Sequence, residues 1–255
     1  MHAFLITCYG NGTRSTSSVR KYFIKYTLEF IVIVLGISFS FLVQNIREEK
    51  ELDSNRQLIF KSLLGELESN ESYITSRNKA FVREMDYVSK FLKDSLTKNK
   101  IKEYPENLSP LNPFLSALTF SPSASIYNSL INDGSFNLID SPTLKSLIDE
   151  VYTTNYKSIV NRIQSELEIA NEAERFFATN YSKIYSKNFW FNVKDAKLNN
   201  SVFEIMKNNY RFKAFMVQKI SYMEVKIISM NRYIRKRNSL IKLLKKHITD
   251  ENQIN

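Results

Sequence analysis

The sequence predicts an all-α protein: one N-terminal transmembrane helix continuing into a long antiparallel helical bundle or coiled coil. Three observations predict it. The stretch Tyr26–Ile46, YTLEFIVIVLGISFSFLVQNI, lies between Lys25 and Arg47 and holds one formal charge, Glu29. Only five glycines and five prolines punctuate 255 residues, too few for a β-rich or loop-rich fold. Ile220, Ile227, Ile234, Ile241 and Ile248 recur every seven residues, the period of a helical seam. The chain divides accordingly into a basic, disordered cytoplasmic tail (1–25), a span (26–46) and an extracytoplasmic bundle (47–250).

A bilayer core needs about 20 mainly apolar residues in helical form. Phe30 to Gln44 holds no ionisable group, and Tyr26, Thr27, Leu28 and Ile46 extend it. Glu29 is a polar residue within one turn of the N-terminal end, where its carboxylate reaches headgroups or Lys25. Its sharper reading is a contact to a partner helix. The rival to a span is a cleaved signal peptide, with Ser38-Phe39-Ser40 as a small-x-small site. Against it, a 25-residue tail precedes the run, which continues through Phe41, Leu42 and Val43. A buried soluble helix is seldom this apolar all round.

Orientation is nearly balanced. The tail carries Arg14, Arg20, Lys21 and Lys25 without an acid, and Arg47, Lys50, Arg56 and Lys61 follow the span. The shorter N-terminal side favours a cytoplasmic tail. That predicts a single-pass protein of the bacterial inner membrane with its C-terminal domain in the periplasm. The formal charge of +10 is concentrated: Lys207 to Lys246 holds twelve cations against Glu224 alone. Nucleic acid is a partner for such a stretch only if the bundle is cytoplasmic. Cys8 is the single cysteine, which excludes an intramolecular disulfide, and His2 and His247 sit near the termini. A histidine-built metal or acid–base site is therefore not expected, nor a cofactor, nor enzymatic activity.

Beyond the span, Leu67, Ile74, Phe81 and Val88 form a heptad row, joined by Leu63, Leu64, Met85 and Leu92. This predicts a helix over 47–96, interrupted in its seam by Asn70, Glu71, Arg77 and Asn78. Residues 98–113, with three prolines, form a loop. Ser121 or Ser123 caps a short helix over 124–132, with Gly134 at its left-handed exit. Ser141 caps the next helix, with Pro142 at its first position. That helix covers 143–187, with Ile163, Ala170, Phe177 and Ile184 in one row. The last covers 201–248, where the five isoleucines pair with Met216, Met223, Met230 and Leu244, and Arg237 is the one polar intrusion.

If the second long helix returns along the first, Phe189, Trp190 and Phe191 reach the bilayer surface, where aromatic side chains concentrate. The bland alternative is a capping cluster at the bundle's end. Arg232, Arg235, Lys236 and Arg237 then lie at the far tip as a basic docking surface, or neutralise Asp133, Asp140, Asp149 and Glu150.

Several of these residues resemble an uncharacterised bacterial family of single-span membrane proteins, domain of unknown function number 6090. Its members show a basic tail, a span of the type Gly-Glu-Ile with aliphatics and a glycine, and an Asn-Asn-Trp-Asn-Glu-like exit. Glu29, Gly36, Asn45 and Glu48 fall at matching places, with Leu28 where the family has glycine and Ile46 where it has tryptophan. Farther on, Tyr127, Leu130, Gly134, Leu138, Ile139, Leu144 and Tyr152 match its Tyr-x-x-Leu, Gly, Leu-Ile and Leu…Tyr pattern. The resemblance covers Lys21 to about Tyr156. It implies an inner-membrane helical protein and carries no activity.

Function on this reading is a membrane-anchored scaffold or partner-binding protein, whose partners are the lipid bilayer and a second copy or an envelope protein. The alternatives are a ligand-sensing bundle acting through a partner and, with reversed topology, a bundle that binds nucleic acid or anionic lipid. A carboxylate-pair hydrolase built on Glu166, Glu168, Glu172 and Glu174 is the least favoured, since acids on helix surfaces are common.

Overall fold

A computed structural model describes residues 16–93, 111–186 and 196–251, and among them all regular structure is helical. Helix α1 (Thr16–Ser69) includes the whole apolar stretch, and α2 (Glu71–Leu92) follows after a single residue, Asn70. Then come α3 (Asn112–Leu115), α4 (Ser125–Asn132), a 3-10 turn (Ser135–Leu138) and α5 (Pro142–Asp149). A π-helical turn (Glu150–Asn155) leads into α6 (Tyr156–Asn180), followed by α7 (Ser182–Tyr185), α8 (Ala196–Asn208) and α9 (Tyr210–Glu251). The chain forms two compact units, Met1–Asn55 and Arg56–Asn255.

In the first unit the helix is apolar and unpacked. Every side chain from Phe23 to Asn55 is exposed, including Phe30, Leu35, Phe39 and Leu42. It is long and apolar enough to cross a membrane. Glu29 and Lys25 form an i,i+4 ion pair at 4.0 Å.

The second unit holds the core. Leu67, Ile74, Phe81 and Val88 are all buried, as their heptad spacing predicts. So are Ile163, Ala170 and Phe177 of α6 and Met216, Met223, Met230 and Leu244 of α9. The five heptad isoleucines of α9, Ile220, Ile227, Ile234, Ile241 and Ile248, are only half-buried. The second half of its inward seam is instead Lys219, Lys226, Tyr233 and Leu240, with Arg237 one heptad beyond Met230. The expected Ile/Met seam is corrected to this Met/Lys/Tyr one.

Side-chain contacts fix the helix directions. The His247 ring lies 5.6 Å from Phe60, Arg237 pairs with Glu71, and Lys226 lies 3.8 Å from Glu84, so α9 runs antiparallel to α1 and α2 here. Ser158 meets Ser229 at 3.1 Å while Glu166 faces Lys219 at 3.6 Å, making α9 antiparallel to α6 as well. Helix α6 therefore runs parallel to α2, not back along it. The return leg is the segment 111–141. Phe114 packs on Phe91 at 4.8 Å, Phe120 on Tyr73 at 6.0 Å, and Asp140 bonds Arg56 at 2.6 Å. Its prolines and serines forbid one long helix, so short pieces make the journey. This overturns the geometry that would carry the end of α6 back toward Arg56.

Each expected long helix is divided. At Asn70 the side-chain amide donates to the Ser123 carbonyl and accepts the Ser123 N–H, both at 2.9 Å. At Asn209 the carboxamide oxygen accepts the Phe212 N–H at 2.9 Å, the bond of an N-cap. The third division is the π-turn, where Asn155 donates its side-chain N–H to the Glu150 carbonyl at 2.7 Å. Gly134 has φ 78°, and the Ser141 hydroxyl accepts the Leu144 N–H at 3.3 Å, as the sequence predicts. Helix α4 departs from expectation. Neither Ser121 nor Ser123 caps it; the Glu66 carboxylate does, accepting the Ile126 N–H at 2.7 Å and the Ser125 hydroxyl at 3.0 Å.

Candidate functional site

Two apolar clusters make up the core of the second unit. One gathers around Leu67, Phe81, Ile159 and Met230, the other around Phe91, Phe114, Phe177 and Met216. A charged layer interrupts the helices between them: Glu84 of α2, Glu166 of α6, and Lys219 and Lys226 of α9, none more than 3% exposed. Lys226 is bonded to Glu166 and sits 4.3 Å from the centre of the Phe81 ring. Lys219 donates to the Pro113 carbonyl at 2.6 Å and to the Ser116 carbonyl, fastening the start of the return leg to α9. Lysine suits this place because its stem packs as a hydrocarbon while its three donors spread over several acceptors.

The layer is not fully satisfied. Oε2 of Glu84 and Oε1 of Glu166 accept no hydrogen bond among the described residues. Burial pushes the Glu84 carboxyl up to about 7, against the attraction of Lys219 and Lys226 and assisted by the like charge of Glu166. Burial also lowers Lys219, which Glu166 and Glu84 partly counteract. Four buried charges sum to zero when all are ionised, and a buried pair stabilises little by itself while severely penalising loss of one member. What such a layer does is specify register: shifting α9 by one residue would strand both lysines in hydrocarbon.

A second feature lies between α4, the π-turn and α9. A cavity of about 280 Å³ is lined by Tyr127, Tyr152, Tyr156 and Tyr233 together with Asn128, Val151 and the segment Ser121–Ala124. Tyr127 and Tyr152 stack face to face, 4.5 Å apart and 6° from parallel. The Tyr152 hydroxyl donates to Glu66 at 2.9 Å, so the carboxylate that caps α4 also anchors the cavity wall. Burial, then the Glu66 charge, pushes the Tyr152 phenol far above its usual range, and burial pushes Tyr233 up to about 12. Tyr127 is raised too, by burial and then by the Asp149 charge, so these three phenols stay neutral at physiological pH. The π-turn supplies Val151 and Tyr152; such insertions recur at functional sites because they re-aim side chains within a helix.

The residues singled out from sequence fare unevenly. Arg237 is 2% exposed and is no docking residue: it donates to the Leu67 carbonyl at 2.6 Å and pairs with Glu71. A cation at the last carbonyls of α1 is favoured there by the helix dipole. Lys236 bonds Glu150 at 2.9 Å, the neutralising alternative, while Arg232 and Arg235 are exposed. The pairs Arg237–Glu71 and Lys236–Glu150 set this stretch beside the starts of α2 and the π-turn, not at the end where α2 and α6 finish. Phe189, Trp190 and Phe191 lie outside the described residues, as do Cys8 and most of the tail. The glutamates of the hydrolase reading are not brought together: Glu166 is buried, Glu168 and Glu172 are exposed, and Glu174 accepts from Tyr185 at 2.8 Å.

Sequence reasoning missed the charged layer and the tyrosine cavity. The signal for the layer was present: counted from Met216, Met223 and Met230, Lys219 and Lys226 occupy the alternate seam position. For the cavity, the tyrosines lie scattered from Tyr127 to Tyr233, and only the fold collects them. No family model, curated protein or solved structure matches the chain.

Proposed function

We propose that the chain is a single-pass, membrane-anchored helical protein whose bundle serves as a non-catalytic scaffold for a partner, with its tail cytoplasmic and its bundle outside the cytoplasm. The observation that carries this reading is the contrast in burial. Side chains from Phe23 to Ile46 are exposed although most are apolar, while the heptad rows of the second unit are buried. An apolar surface of that size calls for a nonaqueous environment. The orientation rests on the cation count and the short N-terminal side. The resemblance to the single-span family is part of the same proposal, on the residues Glu29, Gly36, Asn45 and Glu48.

The test is topology. A reporter active only outside the cytoplasm, fused after Asn255, is expected to be active, and crosslinking then searches for envelope partners. A silent exported reporter with an active cytoplasmic one would overturn the orientation and revive nucleic acid or anionic lipid as contacts for Arg232 and Arg235. A second reading, a ligand-sensing bundle acting through a partner, is favoured by one observation: the tyrosine-lined cavity beside the π-turn.

A further inference from the structure

We infer that the tyrosine cavity is a binding site for a methylated ammonium group, the chemistry of choline and its relatives. The inference rests on the ligand-binding reading of that cavity and adds the class of ligand. Four aromatic rings line it and no charged side chain does. Aromatic faces carry negative potential and attract cations, most effectively where water is displaced. A methylated ammonium suits such walls because it has charge but no N–H that needs an acceptor. The wall also has no lysine or arginine to repel it.

The surrounding charges place the cation on one side. At Tyr152 the Glu66 carboxylate outweighs Arg237, and at Tyr127 the acting charge is Asp149. At Tyr233 the order reverses, and Arg237 outweighs Glu66. The Glu66 carboxylate bonded to Tyr152 at 2.9 Å favours the ammonium on that side of the cavity, where the stacked Tyr127 and Tyr152 rings cover each other's inner faces and offer it their remaining surfaces. The Tyr152 hydroxyl donates to a carboxylate, which enriches that ring in electron density and strengthens its pull on a cation. A cavity of about 280 Å³ admits a ligand of choline size and lies at the small end of ligand sites.

The test uses the full chain in nanodiscs of phosphatidylglycerol and phosphatidylethanolamine, which lack choline. Calorimetric titration with choline is compared with its neutral isostere, 3,3-dimethylbutanol. Saturable choline binding is expected, with the isostere at least about tenfold weaker. Saturation transfer from tyrosine ring protons to the choline methyls, on the unmutated protein, is expected to place the ligand against the rings. Tyr127→Phe keeps the face and is expected to bind within about twofold, while Tyr127→Leu loses about tenfold in a chain that still melts cooperatively. Should Tyr127→Leu not fold, the saturation-transfer result on the native chain decides alone. Equal binding of choline and isostere would overturn the cation class and leave the cavity a ligand site. Binding of neither, with no transfer from tyrosine, would overturn the ligand-binding reading itself. Discs doped with phosphatidylcholine identify the source: competition there assigns the site to a lipid headgroup, and its absence to a soluble ammonium.

Discussion

Glu84 shows how one buried group ties stability to pH. Its carboxylate faces Lys219 and Lys226 from α9, Glu166 from α6 and Arg77 from its own helix, and Oε2 accepts no hydrogen bond among the described residues. Burial raises it from 4.5 to about 7. A raised carboxyl contributes its full stabilisation below the unfolded value and loses it as pH climbs through the folded value, here between 4.5 and about 7. The loss amounts to about 3 kcal/mol for a group this buried. Lys219 runs the opposite way: its lowered amine contributes fully above 10.5 and loses that contribution as pH falls. The two titrate as a linked set, and removing the carboxyl isolates its share. Glu84→Gln is therefore expected, in urea melts, to gain about 3 kcal/mol on the parent between pH 4.5 and pH 8, from whatever offset the loss of one buried member leaves at pH 4.5. The same difference at both values would show that Glu84 ionises as an ordinary surface acid does.

Among the elements, the joint between α1 and α2 carries the clearest consequence. Asn70 is 8% exposed and spends both ends of its amide on the backbone of Ser123. Beside it Arg237 occupies the Leu67 carbonyl, and Glu66, one turn earlier, caps α4 and holds Tyr152. One turn of helix thus anchors the return leg, the cavity and α9. Asn70→Ala removes two hydrogen bonds and leaves the Ser123 groups to find other partners, an expected cost of about 2 kcal/mol in denaturant melts. A cost below about 0.5 kcal/mol would mean that water replaces the amide at this joint. The sequence hints at the joint, since Asn70 and Glu71 interrupt an otherwise apolar row. Punctuation with a local mechanism was legible: Gly134 at positive φ and Ser141 before Pro142 stand where their chemistry demands. The cap of α4 was not, because its carboxylate arrives from a residue 60 positions away. The same distance hid the charged layer. A lysine on a helix reads as surface until a buried partner such as Glu166 is found on another helix, and the direction of α6 depended on a return leg with no periodicity of its own.

At the scale of the whole molecule the apolar stretch decides where the protein resides, and two fates share its composition. A span remains in the chain; a signal sequence is cut away. The exposed residues of Tyr26–Ile46 lie within α1, a helix of 54 residues that continues to Ser69 without a break. A small-x-small site at Ser38–Ser40 lies inside that helix, and Ser40 bonds back to the Gly36 carbonyl at 2.9 Å. The apolar run continues past Ser40 through Phe41, Leu42 and Val43, which favours retention, the fate the proposed anchor requires. An epitope at the N-terminus and another after Asn255 should therefore migrate as one band, in a membrane fraction that resists alkaline carbonate. Placing arginine at Leu35 and Phe39 raises the cost of insertion by about 3 kcal/mol each and should release the doubly tagged chain from that fraction. Separation of the two tags would identify a cleaved signal and remove the anchor from the mature protein. Release by carbonate without cleavage would place the stretch on the membrane surface or against a partner, and the arginine variants would then behave as the parent does.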